Sequence, residues 1–197
     1  MESAPTSALE LYGAQSTLLP AGLTADLVFE MTVLMVAAFG AIFVVVMAIV
    51  WFAWQSNRPA GPWWVWSGGI VLPLVSIIIL MAGSTAVLVA STRGDPRALE
   101  IEVTGHQFWL DVGYDPQVIA LRDANELVLP AGRPGTLTLR SADVIHSFWV
   151  PSISGKMDMI PGRTNTLTIT PQKVGLFRGQ YAEFCGLSHP RMAFEVV

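Results

Sequence analysis

The stretch from Met31 to Trp54, MTVLMVAAFGAIFVVVMAIVWFAW, runs 24 residues without a charge, and only Thr32 and Gly40 in it are not hydrophobic. As a helix it would span about 36 Å, enough to cross a hydrocarbon core of about 30 Å with some tilt. A second uncharged stretch, 62–91, holds 30 residues, with Pro73 inside it as an expected kink. Gln55 to Gly61, between the two, is too short to be more than a turn. Residues 31–92 therefore read as a transmembrane helical hairpin with helices at 31–54 and 62–91. The competing reading, a helical pair buried in a large soluble protein, fits these lengths poorly.

Trp51, Trp54, Trp63, Trp64 and Trp66 cluster around the turn, as an aromatic belt at one membrane face would. The turn carries Arg58 and no acid, while residues 1–30 carry Glu2, Glu10, Asp26 and Glu30 and no base. The positive-inside rule then puts the turn in the cytoplasm, and both termini, with 1–30 as an external segment, on the outer (periplasmic) face. No positive segment precedes the first helix and its apolar core is long, so it reads as an anchor and not as a cleaved signal peptide.

The chain has 197 residues, 52% of them apolar and 13% charged, with a mean hydropathy of +0.53. A soluble domain would carry about a quarter charged residues. The composition excludes a disordered chain, a collagen, a basic nucleic-acid binder and a disulfide-stapled miniprotein. One cysteine cannot form an internal disulfide.

From Arg93 onward the texture changes: residues 93–197 hold 10 of the 11 basic residues, 11 of the 15 acids and all three histidines. Runs rich in β-formers recur at Leu99–Thr104, Gln107–Val112, Glu126–Leu129, Gly135–Arg140, Val144–Val150, Thr166–Thr170, Gly175–Ala182 and Met192–Val197, separated by Pro and Gly turns. Residues 136–139 and 166–169 alternate Thr with Leu or Ile, one face buried and one wet. About eight short strands in some 100 residues predict an antiparallel sandwich or Greek-key barrel. The fold class is a membrane-anchored all-β protein.

Cys185, His189 and Met192 form C-x3-H-x2-M beside the last strand, and His146 lies 39 residues before Cys185. A thiolate, two imidazoles and a thioether are the donors of mononuclear copper electron-transfer sites, with methionine as the weak axial ligand. Each residue alone has a plainer reading: Cys185 as a small buried hydrophobe, the histidines as core or surface groups, Met192 as core filler. Together, at one end of a β-domain, they favour a metal. No second cysteine pair exists for a zinc finger, and a catalytic Cys–His dyad would leave the methionine unexplained.

Three blocks resemble subunit II of haem–copper terminal oxidases, the cytochrome c oxidase subunit 2 family. They are Asp143-Val-Ile-His-Ser-Phe-Trp-Val-Pro151, Gly155-Lys-Met-Asp-Met-Ile-Pro-Gly-Arg163 and Arg178-Gly-Gln-Tyr-Ala-Glu-Phe-Cys-Gly-Leu-Ser-His-Pro-Arg-Met192. Ala98 to Trp109, Leu19-Pro-Ala-Gly22 and Pro73 fit the same resemblance. It implies a cupredoxin domain on the outer face of a bacterial plasma membrane, in contact with membrane lipid. That domain would dock on a haem-bearing catalytic subunit I, with a subunit III, in a proton-pumping complex that reduces oxygen. This chain would bring in electrons without being the catalytic core.

The resemblance also implies site residues. The family's binuclear CuA centre uses two cysteines in C-x-E-x-C, and Tyr181 stands where the first would be, in Tyr181-Ala-Glu183-Phe-Cys185. His146, Cys185, His189 and Met192, with the backbone carbonyl of Glu183, remain as copper ligands, by count a mononuclear set. The carboxylate of Glu183 would reach a magnesium or manganese ion shared with the catalytic subunit. Phe108 and Trp109 mark the strand that accepts electrons. Asp158 and Arg163 would lie at the subunit interface, the arginine near the haem propionates, or would stabilise a turn. His106 reads as structural. Trp66 occupies the place where many members carry an acid for proton uptake.

The expected donor is cytochrome c, another redox protein, or quinol. Residues 93–197 sum to a net charge near −1 (10 bases, 11 acids), so no acidic docking face for a basic partner stands out. Val197 lies five residues past Met192, which predicts a separate donor and no fused cytochrome domain. Two alternatives stay open: a quinol oxidase subunit whose β-domain is metal-free, and a membrane-anchored copper redox protein acting alone.

Overall fold

Along β1 (Leu99–His106) every other residue is buried: Leu99, Ile101, Val103 and Gly105 face inward, while Glu100 and Glu102 are exposed. This alternation is what a sheet with one packed face requires. The computed structural model describes residues 15–56, 61–93, 95–114 and 121–197. Nine further strands follow in the described residues: β2 (Trp109–Tyr114), β3 (Arg122–Ala124), β4 (Glu126–Leu127), β5 (Gly135–Ser141), β6 (His146–Trp149), β7 (Met157–Met159), β8 (Asn165–Ile169), β9 (Phe177–Tyr181) and β10 (Ala193–Val196).

They form two five-stranded sheets, β3-β2-β1-β5-β8 and β4-β10-β9-β6-β7, in the sandwich expected of a cupredoxin-like domain. Phe148, Phe194, Leu110, Leu137, Leu139 and Ile169 are among the fully buried side chains of the core. Each such side chain contributes about 1.5–3 kcal/mol by leaving water.

Three details differ from the sequence reading. Two pairings are parallel, β1 with β5 and β4 with β10, so the sandwich is mixed. Two short strands, β3 and β7, were not expected; each is three residues long and too short to show a period. Thr136 is buried and not wet, because it lies opposite Thr168 on β8, with the two hydroxyl oxygens 3.5 Å apart.

The chain divides into two compact units, one of residues 1–29 with 90–197 and one of 30–89. Within the first, the segment before the helix is sewn to the β-domain. The Ala21 amide donates to the Ser152 carbonyl at 2.6 Å, Leu23 to Thr170 at 3.0 Å, and the Gln172 amide to the Ala21 carbonyl at 2.7 Å. Gly22 pairs with Pro171, and a Cβ there would strike the Ile153 carbonyl and side chain.

Helix α1 (Leu23–Gln55) starts eight residues before the uncharged stretch. Hydropathy marks the apolar part of a helix and not its end, and Asp26 suits the positive end of the helix dipole. Helix α2 runs from Pro62 to Thr92 in three parts: an α-turn (Pro62–Trp66), a π-helical turn (Ser67–Val71) and an α-helix (Leu72–Thr92). The Leu72 amide bonds the Ser67 carbonyl five residues back. This widening precedes Pro73, which lacks an N–H and crowds the carbonyl four residues earlier.

Both α1 and α2 are long and apolar enough to cross a membrane, and their apolar side chains are largely exposed. Three hydroxyls in α2 bond within it: Ser67 donates to the Trp63 carbonyl, Ser76 to Leu72 and Thr85 to Met81, at 2.7–2.8 Å. A Cβ on Gly83 would lie 3.1 Å from the Met31 methyl, so the two helices pack closely at this point. The five tryptophans around the turn are exposed; Arg58, on which the orientation rests, lies outside the described residues.

Candidate metal centre

Two elements of the second sheet carry the candidate donors. His146 opens β6, and the loop between β9 and β10 carries Cys185, His189 and Met192. A short 3-10 turn, His189–Arg191, folds that loop back, with the Met192 amide on the His189 carbonyl at 3.1 Å. The fold brings three donors together: Cys185 Sγ is 3.5 Å from His189 Nδ1 and 3.1 Å from Met192 Sδ. Cys185 and Met192 are buried. Burial, with a smaller push from Asp143, raises the Cys185 thiol above its ordinary range, so binding a metal there releases a proton.

His146 is fully buried, and its Nε2 lies 2.8 Å from Asp143 Oδ1. Burial pushes the Asp143 carboxyl up, but hydrogen bonds from the Gln107 amide, His146 and the Val144 amide outweigh it, and the group stays below the usual carboxylate range. An ionised Asp143 accepts a hydrogen bond from Nε2–H, which leaves Nδ1 with a free lone pair. That atom is buried and has no hydrogen-bond partner among the described residues. A carboxylate fixing one imidazole nitrogen so that the other can bind a metal is the usual outer-shell arrangement.

Tyr181 closes β9 and packs against His146. Its ring meets the His146 ring edge-on at 5.4 Å and the Phe194 ring at 6.1 Å. Its hydroxyl is buried and lacks a partner among the described residues. Burial, aided by Cys185 and Asp143, pushes the phenol far above its ordinary range, so it stays neutral.

The hairpin between β1 and β2 forms the remaining wall. A Cβ on Gly105 would lie 2.8 Å from His146 Cδ2, and one on Gly186 would lie 2.9 Å from Gln107 Nε2 and 3.1 Å from the Phe108 ring. Gly186 also has φ of +129°, a conformation that favours glycine. Phe108 and Trp109 are partly exposed at this edge, and Trp109 stacks flat on His106 at 4.6 Å. Glu183 turns its carboxylate to Lys156, 2.6 Å from Nζ, on a half-exposed surface; the same hydrogen bond raises the lysine above its ordinary value. Asp158 accepts the Asn165 amide on its backbone carbonyl at 2.7 Å, and Arg163 is exposed on the Pro161–Gly162 turn.

Asp143, Gln107, Gly105 and Gly186 were not singled out from the sequence. The Asp-x-x-His spacing was a usable signal for Asp143; nothing local marks the others.

Among the described residues no three His, Cys, Asp or Glu side chains stand together as a metal site. The third donor beside Cys185 and His189 is the Met192 sulfur. A pair of metals bridged by two thiolates does not fit a chain with one cysteine. A single soft ion fits better: it would take the thiol, the imidazole and the thioether, and His146, whose Nδ1 has no partner among the described residues, would add a second imidazole.

Residues 111–197 match the family model for the periplasmic domain of cytochrome c oxidase subunit II. The periplasmic domain of subunit II of the cytochrome oxidase of Bradyrhizobium japonicum is 32% identical, over 51% of this chain and 84% of that one, with a TM-score of 0.48. The chain is similar, over residues 111–197, to the periplasmic domain of cytochrome c oxidase subunit II. Cytochrome c oxidase subunit 2 of Alkalihalophilus pseudofirmus is 34% identical over 64% of this chain and 38% of its own length. For Branchiostoma floridae the figures are 33%, 62% and 61%. The chain thus spans less than two thirds of these curated subunit II relatives.

Proposed function

We propose that the protein is the electron-accepting subunit II of a haem–copper oxygen reductase, with a single copper bound by His146, Cys185, His189 and Met192. The observation that carries this is the meeting of a thiol, an imidazole and a thioether within 3.5 Å, in a domain whose buried His146 has an Nδ1 with no partner among the described residues. Copper held there would supply one-electron exchange between an external donor and the haems of a catalytic subunit. The protein's own part is to hold the donors. Asp143 sets the His146 tautomer, the 3-10 turn holds His189 against Cys185, and the surrounding core keeps water from the thiol.

Tyr181 stands at the position that the family resemblance gives to the first CuA cysteine. Its bulk and neutral phenol support a mononuclear site over a binuclear one. Glu183 contributes its backbone carbonyl, and its carboxylate would take a magnesium or manganese ion at the boundary with the catalytic subunit after leaving Lys156. Helices α1 and α2 anchor the chain in a bacterial plasma membrane with the β-domain outside. Phe108 and Trp109 receive electrons from cytochrome c or another redox protein at the exposed edge beside the Cys185 loop.

The test is copper content and EPR of the full chain purified in detergent. One copper per chain, with hyperfine structure from a single nucleus and a thiolate charge-transfer band, supports the reading. No stoichiometric copper would overturn it in favour of a metal-free domain serving a quinol oxidase. Converting Tyr181→Cys should move the stoichiometry to two coppers sharing one electron. Co-purification of a haem protein with the wild-type chain tests the assembly, and a chain that purifies without haem would favour a copper protein acting alone.

A further inference from the structure

Gln107 lies at the tip of the β1–β2 hairpin, in the first sheet, and touches both ligand-bearing segments of the second. Its backbone amide donates to Asp143 Oδ2 at 2.6 Å, and the other oxygen of that carboxylate holds His146 Nε2. Its side-chain amide donates to the Cys185 carbonyl, also at 2.6 Å. One residue therefore grips the histidine strand through a carboxylate and the cysteine loop directly. The glycines around it fit this arrangement. Gly186 leaves room for the Gln107 amide and the Phe108 ring to sit against the loop, and Gly105 lets the His146 ring lie on the β1 backbone.

We propose that Gln107 is a positioning residue that clips the His146 strand to the Cys185 loop and so sets the separation between the two donors. This rests on the copper reading above. The clip matters because the ladder that joins the His146 strand to the chain leading to Cys185 ends short of the cysteine. β6 and β9 pair through Phe148 and Tyr181, the Ala182 amide donates to the Ser147 carbonyl at 3.1 Å, and the chain then leaves the sheet before it reaches Cys185. Without the Gln107 side chain the cysteine loop keeps its 3-10 turn but loses its tie to the hairpin. A site whose donors are held by such ties changes little when an electron arrives, which electron transfer requires.

The experiment uses the full chain in detergent, as wild type, Gln107→Leu and Gln107→Glu. Leucine approximates the bulk and glutamate keeps the length, and both lack the amide donor at neutral pH. Gln172→Leu, on the exposed surface, is the control. In the copper-free state, alkylation of the buried Cys185 by iodoacetamide reports opening of the loop. Both Gln107 variants should react about five-fold faster than wild type, as loss of an ordinary hydrogen bond implies.

After addition of Cu(II), both should also shift the thiolate charge-transfer band and the reduction potential, and Gln172→Leu should shift neither. The glutamate variant decides if the leucine variant fails to fold. Alkylation within about two-fold of wild type would overturn the clip. Faster alkylation with an unmoved band and potential would overturn its positioning role. If wild type takes up no copper, the copper reading falls and the alkylation ratio alone decides the clip.

Discussion

Asp143 Oδ1 lies 2.8 Å from Nε2 of the fully buried His146, three residues along the chain, and the ring's other nitrogen has no partner among the described residues. The carboxylate decides which nitrogen of His146 carries its proton, and so which one is free to bind. Asp143→Ala should release the ring and remove the acceptor for the Gln107 amide. Copper affinity measured by competition with a chelator should fall about 10- to 100-fold, the usual loss when an outer-shell partner of a ligating histidine is removed. An unchanged affinity would mean that the core alone orients His146.

Tyr181 presents a buried hydroxyl with no partner among the described residues. Such a group carries a desolvation cost of about 1–3 kcal/mol, so Tyr181→Phe should be neutral or stabilising by up to about that amount. Denaturant unfolding of the copper-free protein checks this. A loss of stability would show that the hydroxyl has a partner, and a loss of copper affinity would show that the phenol is a ligand.

Gly22 sits where a side chain would strike the Ile153 backbone. Gly22→Val should detach the segment before α1 from the β-domain, at a cost of about 1–3 kcal/mol, as overpacking typically brings. Limited proteolysis should then cut near Ala21 and Leu23, whose amides are bonded to Ser152 and Thr170 in the wild type. An unchanged cleavage pattern would refute the fastening.

Arg122 donates to both carboxylate oxygens of Asp111, which is almost buried while the arginine is largely exposed. The hydrogen bond from Arg122 holds the Asp111 carboxyl below its ordinary value, against the opposing push of burial. A folded-state pKa below the unfolded value stabilises the protein at neutral pH, and that contribution is lost as pH falls through the folded value. The stability difference between wild type and Asp111→Asn should be about 1 kcal/mol or less, given the exposed partner. It should be constant above about pH 5 and shrink below about pH 4. A difference that grew on acidification would contradict the pairing.

The local pattern alone marked the two apolar helices, because a run of 24 uncharged residues has few other solutions. It also marked β1, β5 and β8, where apolar residues alternate with polar ones, and the C-x3-H-x2-M loop, whose donors are close in the chain and are joined by one turn. The start of α1 was misread because the helix continues through Asp26 and Glu30 into a segment that hydropathy does not score. β3 and β7 were missed because three residues carry no period.

What tertiary structure decided is everything that joins distant segments. The parallel pairings of β1 with β5 and β4 with β10, the burial of Thr136 opposite Thr168 and the binding of Ala21 to Ser152 and Gln172 leave no mark at the residues concerned. The same holds for the site: Cys185, His189 and Met192 could be grouped from their spacing, whereas the Gln107 bonds to Asp143 and Cys185 could not. Periodicity and spacing record the geometry of a single element. Which elements meet is set by chain crossings and core packing over the whole domain, and only the folded chain expresses them.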